Sequence, residues 1–347
     1  MTNPHALKPL ENPSDFLEMG LQILRSDKAQ LAVALVDRVL AHHGNVQPWA
    51  GIASIIMLNN VPEFHGFMLR DSIRNRAYQQ AIERSAKDRV VLDIGTGSGL
   101  LAMMAARAGA QHVYACEANP VLAASAQAVI EANGLADNIT VYAKHSAKLD
   151  AERDLAGGVD LVVSEIFSDS LLSEGVLSSL DHARSKLCRP GALFIPERAS
   201  IMVALADFPE EPAHPNAVEG FDISPFRRHM NGSQHTGAAN KELVLRSEPA
   251  ELFAFEFNSK TPLPKTDQNA LVLENSGKGA CGLAQWIRLQ FAPDITYENR
   301  PGGDASLHWQ INLIPAPSDL PENDEPVRVG GWYSNASPVI WCEAVDR

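Results

Sequence analysis

Apolar residues at Phe16, Leu17, Leu21, Ile23 and Leu24, and again at Leu31, Val33, Leu35, Val36, Val39 and Leu40, recur every three to four positions. That period places them on one face of a helix, so residues 1–60 are predicted to form a helical extension built around a hairpin. Pro13 stands near its start, where the first turn has no intrahelical bond for a missing N–H to lose. The hairpin has the size of a tetratricopeptide unit, without that repeat's signature. His42 and His43 fall at the end of its second helix, where positive charge suits the helix dipole.

From Val90 the texture changes. RVVLDIG, HVYACE, ITVYA, VDLVVSE and GALFIP are short apolar runs suited to buried strands, and residues 100–107, 120–133 and 177–187 between them read as helices. Strands alternating with helices predict α/β architecture, a Rossmann-like doubly wound sheet within residues 61–197. Beyond Pro196 the runs SIMVALADF, ELFAFEF, ALVLEN, CGLAQWIRLQF, LHWQINLI and GWYSN stand between Gly, Pro and polar loops. That pattern predicts an antiparallel, barrel-like β domain over residues 198–347, with Trp286, Trp309, Trp332 and Trp341 in its core. NGSQHTGAANKE and PAPSDLPENDEP are assigned to surface loops.

The stretch VVLDIGTGSGLLAMMAARAGA carries the first candidate chemistry. A buried strand runs into Asp93, then Gly95, Gly97 and Gly99, then an alanine-rich helix. Glycines let the backbone turn sharply and approach a ligand where a Cβ would collide. Gly-x-Gly-x-Gly departs from the Gly-x-Gly-x-x-Gly of a pyrophosphate-capped helix, which favours S-adenosylmethionine over a dinucleotide. Glu117 ends the next strand, where a carboxylate accepts from both ribose hydroxyls. Asp93, Glu117 and Glu165 all fall at carboxyl ends of strands, the edge at which open α/β sheets bind ligands.

Composition narrows the setting. The 347 residues, 45% hydrophobic and 20% charged, suffice for two domains with sizeable cores. Lys plus Arg is 29 against 42 for Asp plus Glu, a net charge of -13. This disfavours a nucleic-acid partner held through phosphates and suits a cationic substrate. Cys116, Cys188, Cys281 and Cys342 are widely separated, without a Cys-x-x-Cys pair or a nearby histidine at zinc-ligand spacing, so they are read as reduced structural residues and no metal is expected. The opening stretch MTNPHALKPLENPSDF lacks a signal-peptide core, and no run approaches a membrane span, so a cytoplasmic, membrane-free protein is expected.

SEIFSDSLLSEG places Glu165 and Glu174 nine residues apart around Ser168, Asp169 and Ser170. On one unbroken helix, at about 100° per residue, the two carboxylates would point to opposite sides. They converge only if the chain folds back, and Ser-Asp-Ser favours such a bend. Converged, two like charges about 5 Å apart at an effective dielectric of about 20 repel by roughly 3 kcal/mol, so the arrangement asks for a bound cation or a proton. Two unrelated solvated glutamates are the bland alternative.

These residues carry a family resemblance across residues 68 to 310. The sequence resembles the protein arginine methyltransferases: MLRDSIRNRAY is similar to the family's Met-Leu-x-Asp-x-x-Arg-x-x-x-Tyr helix, LDIGTGSG to its first methyltransferase motif, YACE to its ribose-binding strand end. SEIFSDSLLSEG resembles its double-glutamate loop, VEGFDIS a segment of its dimerisation arm near residues 209–240, and LHWQ its Thr-His-Trp loop. The resemblance implies that Arg74 pairs with the cofactor's carboxylate, that Met68 packs near the methyl donor, that Glu117 holds the ribose and that Ser146 lies near the adenine. It also implies that Glu165 and Glu174 clamp the substrate guanidinium, that His308 pairs with Asp71, and that the protein is a homodimer.

Departures from the family pattern matter. The paired tyrosines before the first helix are replaced by GIASIIMLNNVPEFHGF, Leu307 replaces a threonine, and Ala147 stands where many members have an acid. Gly175 and Val176 after the second glutamate are closer to the monomethylating branch. The implied activity is methylation of arginine within a peptide or protein, with Arg227, Arg228 and Lys241 able to hold an α-carboxylate if free L-arginine is the substrate instead. A nucleic-acid methyltransferase is disfavoured by the lack of an Asn/Asp-Pro-Pro-aromatic motif, and an inactive cofactor-binding scaffold by the intact pair of glutamates.

Overall fold

The computed structural model describes residues 11–58, 64–209, 216–229, 234–276, 281–303, 308–317, 320, 325–335 and 337–345. The described residues begin with three helices, α1 (Pro13–Leu24), α2 (Leu31–His43) and α3 (Trp49–Leu58). Asn12 caps α1 by accepting from the Ser14 N–H, with Pro13 in the first turn. The expected hairpin is therefore a three-helix unit. Phe16, Leu35, Val36, Trp49 and Ile56 form its core, and Gly20 gives Ile56 the room that a Cβ would take. His43 stacks on Trp49 at 3.7 Å between ring centroids.

Two helices follow, α4 (Phe64–Arg70) and α5 (Ser72–Ser85). The parallel core then alternates β1 (Val90–Ile94), α6 (Leu100–Arg107), β2 (His112–Cys116), α7 (Pro120–Ala132), β3 (Ile139–Tyr142), α8 (Ala151–Asp154), β4 (Val159–Ser164), α9 (Val176–His182) and β5 (Cys188–Ile195). Strand order is β3-β2-β1-β4-β5, and the pairs β1–β2, β1–β4 and β2–β3 are parallel. The order reverses between β1 and β4, which puts a ligand crevice at their carboxyl ends. Val33 of α2 and Ala29 just before that helix pack on Val121 of α7, so the helical extension packs against α7.

Among the described residues, twelve further strands follow: β6 (Arg198–Asp207), β7 (Ala217–Val218), β8 (Phe221–Asp222), β9 (Gln234–Thr236), β10 (Val244–Leu245), β11 (Ala250–Glu256), β12 (Asp267–Leu273), β13 (Gly282–Ala292), β14 (Ile295–Glu298), β15 (Ile311–Pro315), β16 (Val327–Tyr333) and β17 (Pro338–Ala344). A seven-stranded antiparallel sheet is built on the path β10-β6-β13-β15-β9, with β11 on β6 and β14 on β13, and β12-β16-β17 form a three-stranded sheet. Met202, Ala204, Ala284, Trp286, Ile311 and Leu313 belong to the core of the larger sheet. One aromatic assignment is corrected: Trp332 is 42% exposed on β16, because its neighbour Tyr333 takes the inward position of the strand.

The chain divides into two compact units that interleave along the sequence. The first comprises Met1–Leu69, Ile82–Glu165 and His182–Phe194, and the second comprises Arg70–Ala81, Ile166–Asp181 and Ile195–Arg347. Segments 70–81 and 166–181 thus group with the β strands, to which they are hydrogen-bonded. Among the described residues, no helix is long and apolar enough to cross a membrane.

Candidate active site

In the first unit, β1 leads into a turn in which Gly95, Gly97 and Gly99 have φ of 74°, 52° and 81°. These left-handed conformations strain any residue with a Cβ. Gly99 also lies close to α7, where a Cβ would stand 3.3 Å from the Ile130 side chain. The amides of Gly95 and Thr96 donate to the Cys116 carbonyl at 2.9 and 3.1 Å, tying the turn to the end of β2. Asp93 is buried, and its Oδ2 accepts from the Thr96 hydroxyl at 2.6 Å and the Ala102 N–H at 3.1 Å. Its charge therefore holds the glycine turn and the first turn of α6 together.

Glu117 follows β2, with Oε2 accepting from the Gly97 N–H at 3.1 Å and Oε1 from the Asn119 N–H at 2.9 Å. Each oxygen carries a further lone-pair direction, so a carboxylate fixed in this way suits two adjacent hydroxyls. With the glycine turn beside it, where the glycines carry no side chains, the site fits a ribose-bearing cofactor. Ser146 is buried at the start of the short turn Ser146–Lys148, which His145 caps by accepting from the Ala147 N–H at 3.1 Å. Met68 is buried on α4. His65, on the same helix, was not singled out from the sequence; its ring would lie 3.6 Å from a Cβ on Gly97, so α4 borders the cradle. Glu165 is half-buried immediately after β4.

In the second unit, Asp71 breaks the expected MLRDSIRNRAY helix into α4 and α5. It caps α5, Oδ1 accepting from the Arg74 N–H at 3.0 Å, a helix start that a carboxylate stabilises. Its Oδ2 accepts from the Tyr297 hydroxyl at 2.6 Å and lies 3.6 Å from His308 Nδ1. The resemblance-based pair is thus a buried trio in which Tyr297 makes the short bond; YENR offered no pattern by which to find it. Burial lowers the His308 pKa from the ordinary 6.5, against an opposing pull from Asp71, so the imidazole is neutral at neutral pH. The Arg74 side chain is buried, with Nη1 donating to Asn75 Oδ1 at 2.7 Å and its guanidinium carbon 5.4 Å from the Tyr78 ring centroid.

The Ser-Asp-Ser bend is present. The Leu171 N–H donates to the Ser168 carbonyl at 2.8 Å, closing a turn through Asp169 and Ser170, and Leu171 itself has φ of 74°. Trp309, buried in the bend just before β15, donates through Nε1 to the Phe167 carbonyl at 2.8 Å, and the Gln310 N–H donates to Asp169 Oδ1 at 2.8 Å. Glu174 is exposed beyond this turn. Gly175 follows it with φ of 71°, so backbone conformation accounts for the glycine there, independently of pocket size. Lys241 is exposed; Leu307 lies outside the described residues, as do the side chains of Arg227 and Arg228.

A family model described as ribosomal protein L11 methyltransferase (PrmA) matches residues 76–195, the span that holds the glycine turn and the parallel strands. An arginine N(omega)-methyltransferase of Streptomyces achromogenes subsp. streptozoticus is 38% identical over 305 residues, covering 84% of this chain and 80% of that one. The chain belongs to the arginine N-methyltransferase family. The protein arginine N-methyltransferase 7 of Danio rerio is 39% identical over 295 residues, which are 74% of this chain but 43% of that protein, and the Aedes aegypti one is matched over 41% of its length. Among solved structures, Arabidopsis thaliana protein arginine methyltransferase 10 superposes with a TM-score of 0.65 over 78% of this chain and 88% of its own, at 22% identity. The Trypanosoma brucei PRMT1 enzyme-prozyme complex gives 0.64 over 79% and 88%, also at 22%. Both share the arginine N-methyltransferase fold, a Rossmann-like parallel sheet followed by antiparallel strands.

Proposed function

We propose that this protein transfers the methyl group of S-adenosylmethionine to a guanidino nitrogen of arginine, and that free L-arginine is its substrate. The observation that carries the substrate choice is the match to the Streptomyces enzyme, which runs along four-fifths or more of both chains. That enzyme's name gives arginine without a protein, whereas the chain spans less than half of the protein arginine N-methyltransferase 7 relatives. The second reading, arginine within a polypeptide, is favoured by the net charge of -13, which attracts basic peptides. Competition between L-arginine and a glycine- and arginine-rich peptide tests the choice by product mass. A higher kcat/KM for the free amino acid is expected, and a preference for the peptide overturns it.

When bound, S-adenosylmethionine supplies an electrophilic methyl group on a sulfonium. The protein's contribution is positioning. The glycine cradle and Glu117 would hold the nucleoside, with Ser146 toward the adenine, Arg74 on the carboxylate and Met68 near the donor. Arginine is a poor nucleophile because its charge is delocalised and it stays protonated. Glu165 and Glu174 would grip its N–H groups and draw the positive charge to one side, which would leave the other nitrogen with more lone-pair density. Buried, neutral His308, steadied by Asp71, accepts the departing proton. Because burial depresses the His308 pKa, activity falls only as pH drops below the ordinary 6.5, and a pH–kcat profile should place its acid limb there.

Glu117→Ala is expected to weaken S-adenosylhomocysteine binding about tenfold to a hundredfold, by removing a charged acceptor from two hydroxyls. Calorimetry reads it directly, and unchanged affinity would remove the cofactor role. Four free cysteines suit a reducing compartment, and we place the protein in the cytoplasm. A homodimer is proposed on the β7–β8 hairpin, where Val218, Phe221 and, just beyond, Phe226 are 44%, 74% and 60% exposed. Light scattering on Phe221→Glu/Phe226→Glu should report a monomer where the unmodified protein gives a dimer.

A further inference from the structure

We infer that Gln285 and Asn312 are positioning residues for arginine methylation, holding the turn between the two glutamates through the Asp169 carbonyl. They lie directly opposite one another on β13 and β15, only 2% and 7% exposed among apolar neighbours. Buried amides are costly in such a place unless their hydrogen bonds are made. Here they are made to each other and to one target. Asn312 Nδ2 donates to Gln285 Oε1 at 2.5 Å and to the Asp169 carbonyl at 3.2 Å, and Gln285 Nε2 donates to the same carbonyl at 3.1 Å.

A pair of apolar side chains of similar shape would serve the sheet equally well, since replacing both partners of a buried hydrogen bond by matching apolar groups is nearly neutral. What they could not do is grip Asp169. That carbonyl lies four residues after Glu165 and five before Glu174. The same segment is held at two further points, by Trp309 Nε1 on the Phe167 carbonyl and by the Gln310 N–H on Asp169 Oδ1. Asn299 braces those donors in turn, its Nδ2 reaching the Trp309 and Gln310 carbonyls at 3.1 and 3.2 Å, while its Oδ1 accepts from the Ile287 N–H at 2.9 Å. The antiparallel sheet thus carries a buried amide network whose outer contacts all fall on the turn leading from one glutamate to the other.

The inference rests on the proposed arginine methylation. Gln285→Met and Asn312→Leu, close in volume, remove the two donors. Each is expected to lower kcat about 30- to 100-fold, the loss that a displacement on the order of 1 Å brings to reacting groups, while affinity for S-adenosylhomocysteine stays within about twofold. The double variant should lose no more than the worse single one, because both act on one carbonyl. Rates are referred to active enzyme counted by cofactor titration, so that reduced stability alone does not register. Turnover within about threefold of the unmodified protein in both variants, losses that multiply in the double variant, or failure of both to fold overturns the assignment. Unmodified protein that methylates no arginine in the same assay removes the underlying function; unmodified protein active, Glu174→Gln inactive and both amide variants near normal removes this inference alone.

Discussion

Glu165→Gln and Glu174→Gln are each expected to lower turnover at least about a hundredfold, with S-adenosylhomocysteine affinity near that of the unmodified protein. A carboxylate that closes on a bound guanidinium contributes roughly 3 kcal/mol through its charge, and each 1.4 kcal/mol or so is tenfold in rate. The glutamine oxygen still accepts a hydrogen bond, so what is lost is the charge that biases the guanidinium. Neither carboxylate supports a core: Glu165 is half-buried and Glu174 exposed, so a folding defect is not the expected cause of the loss. Single-turnover rates and calorimetry on the two variants decide it, and near-normal turnover in both would sink the guanidinium clamp.

The bend between the two glutamates was legible because its parts are local. A Ser-Asp-Ser bend is written in three adjacent residues whose side chains bond to nearby backbone, and Leu171 closing onto Ser168 is its structural expression. The glycine turn was legible for the same reason: three positive-φ positions within five residues leave a mark that no tertiary contact is needed to read. The parallel sheet followed from apolar runs broken by helical stretches, and β1 is buried throughout as that reading requires.

What stayed hidden depends on partners distant in sequence. Asp71 reads as one residue of a helix until Tyr297, 226 positions away, bonds to it and the chain restarts as α5. Gln285 sits in CGLAQWIRLQF, where residues 282–287 are all buried, so alternation cannot show which side chains face a second layer. An isolated glutamine there looks like a tolerated polar residue. Only its bond to the Asp169 carbonyl, 116 positions earlier, gives it a purpose. Trp332 shows the converse: an aromatic in a strand reads as core, while the two-residue period gives the inward place to Tyr333. Gly175 shows a subtler limit, since a glycine after the second glutamate resembles the monomethylating branch, and its φ of 71° gives the simpler reason.

Asp93→Ala should produce the second large effect, and it separates a cradle from a contact. Asp93 is 1% exposed, and its Oδ2 receives the Thr96 hydroxyl and the Ala102 N–H. Hydrogen bonds to a charged group contribute about 1.5–3 kcal/mol each, and buried donors left without an acceptor cost a further 1–3 kcal/mol or so. Stability in urea is therefore expected to fall by about 3 kcal/mol or more, and the glycine turn, no longer tied to α6, should lose cofactor affinity about a hundredfold. Asp93→Asn keeps an acceptor oxygen without the charge and should fall between the two. If stability drops while calorimetry shows unchanged affinity, Asp93 supports the fold alone and the turn holds its shape through the Cys116 carbonyl. If both fall together, the conformation of Gly95, Gly97 and Gly99 is what the cofactor recognises, with Asp93 keeping those residues in place.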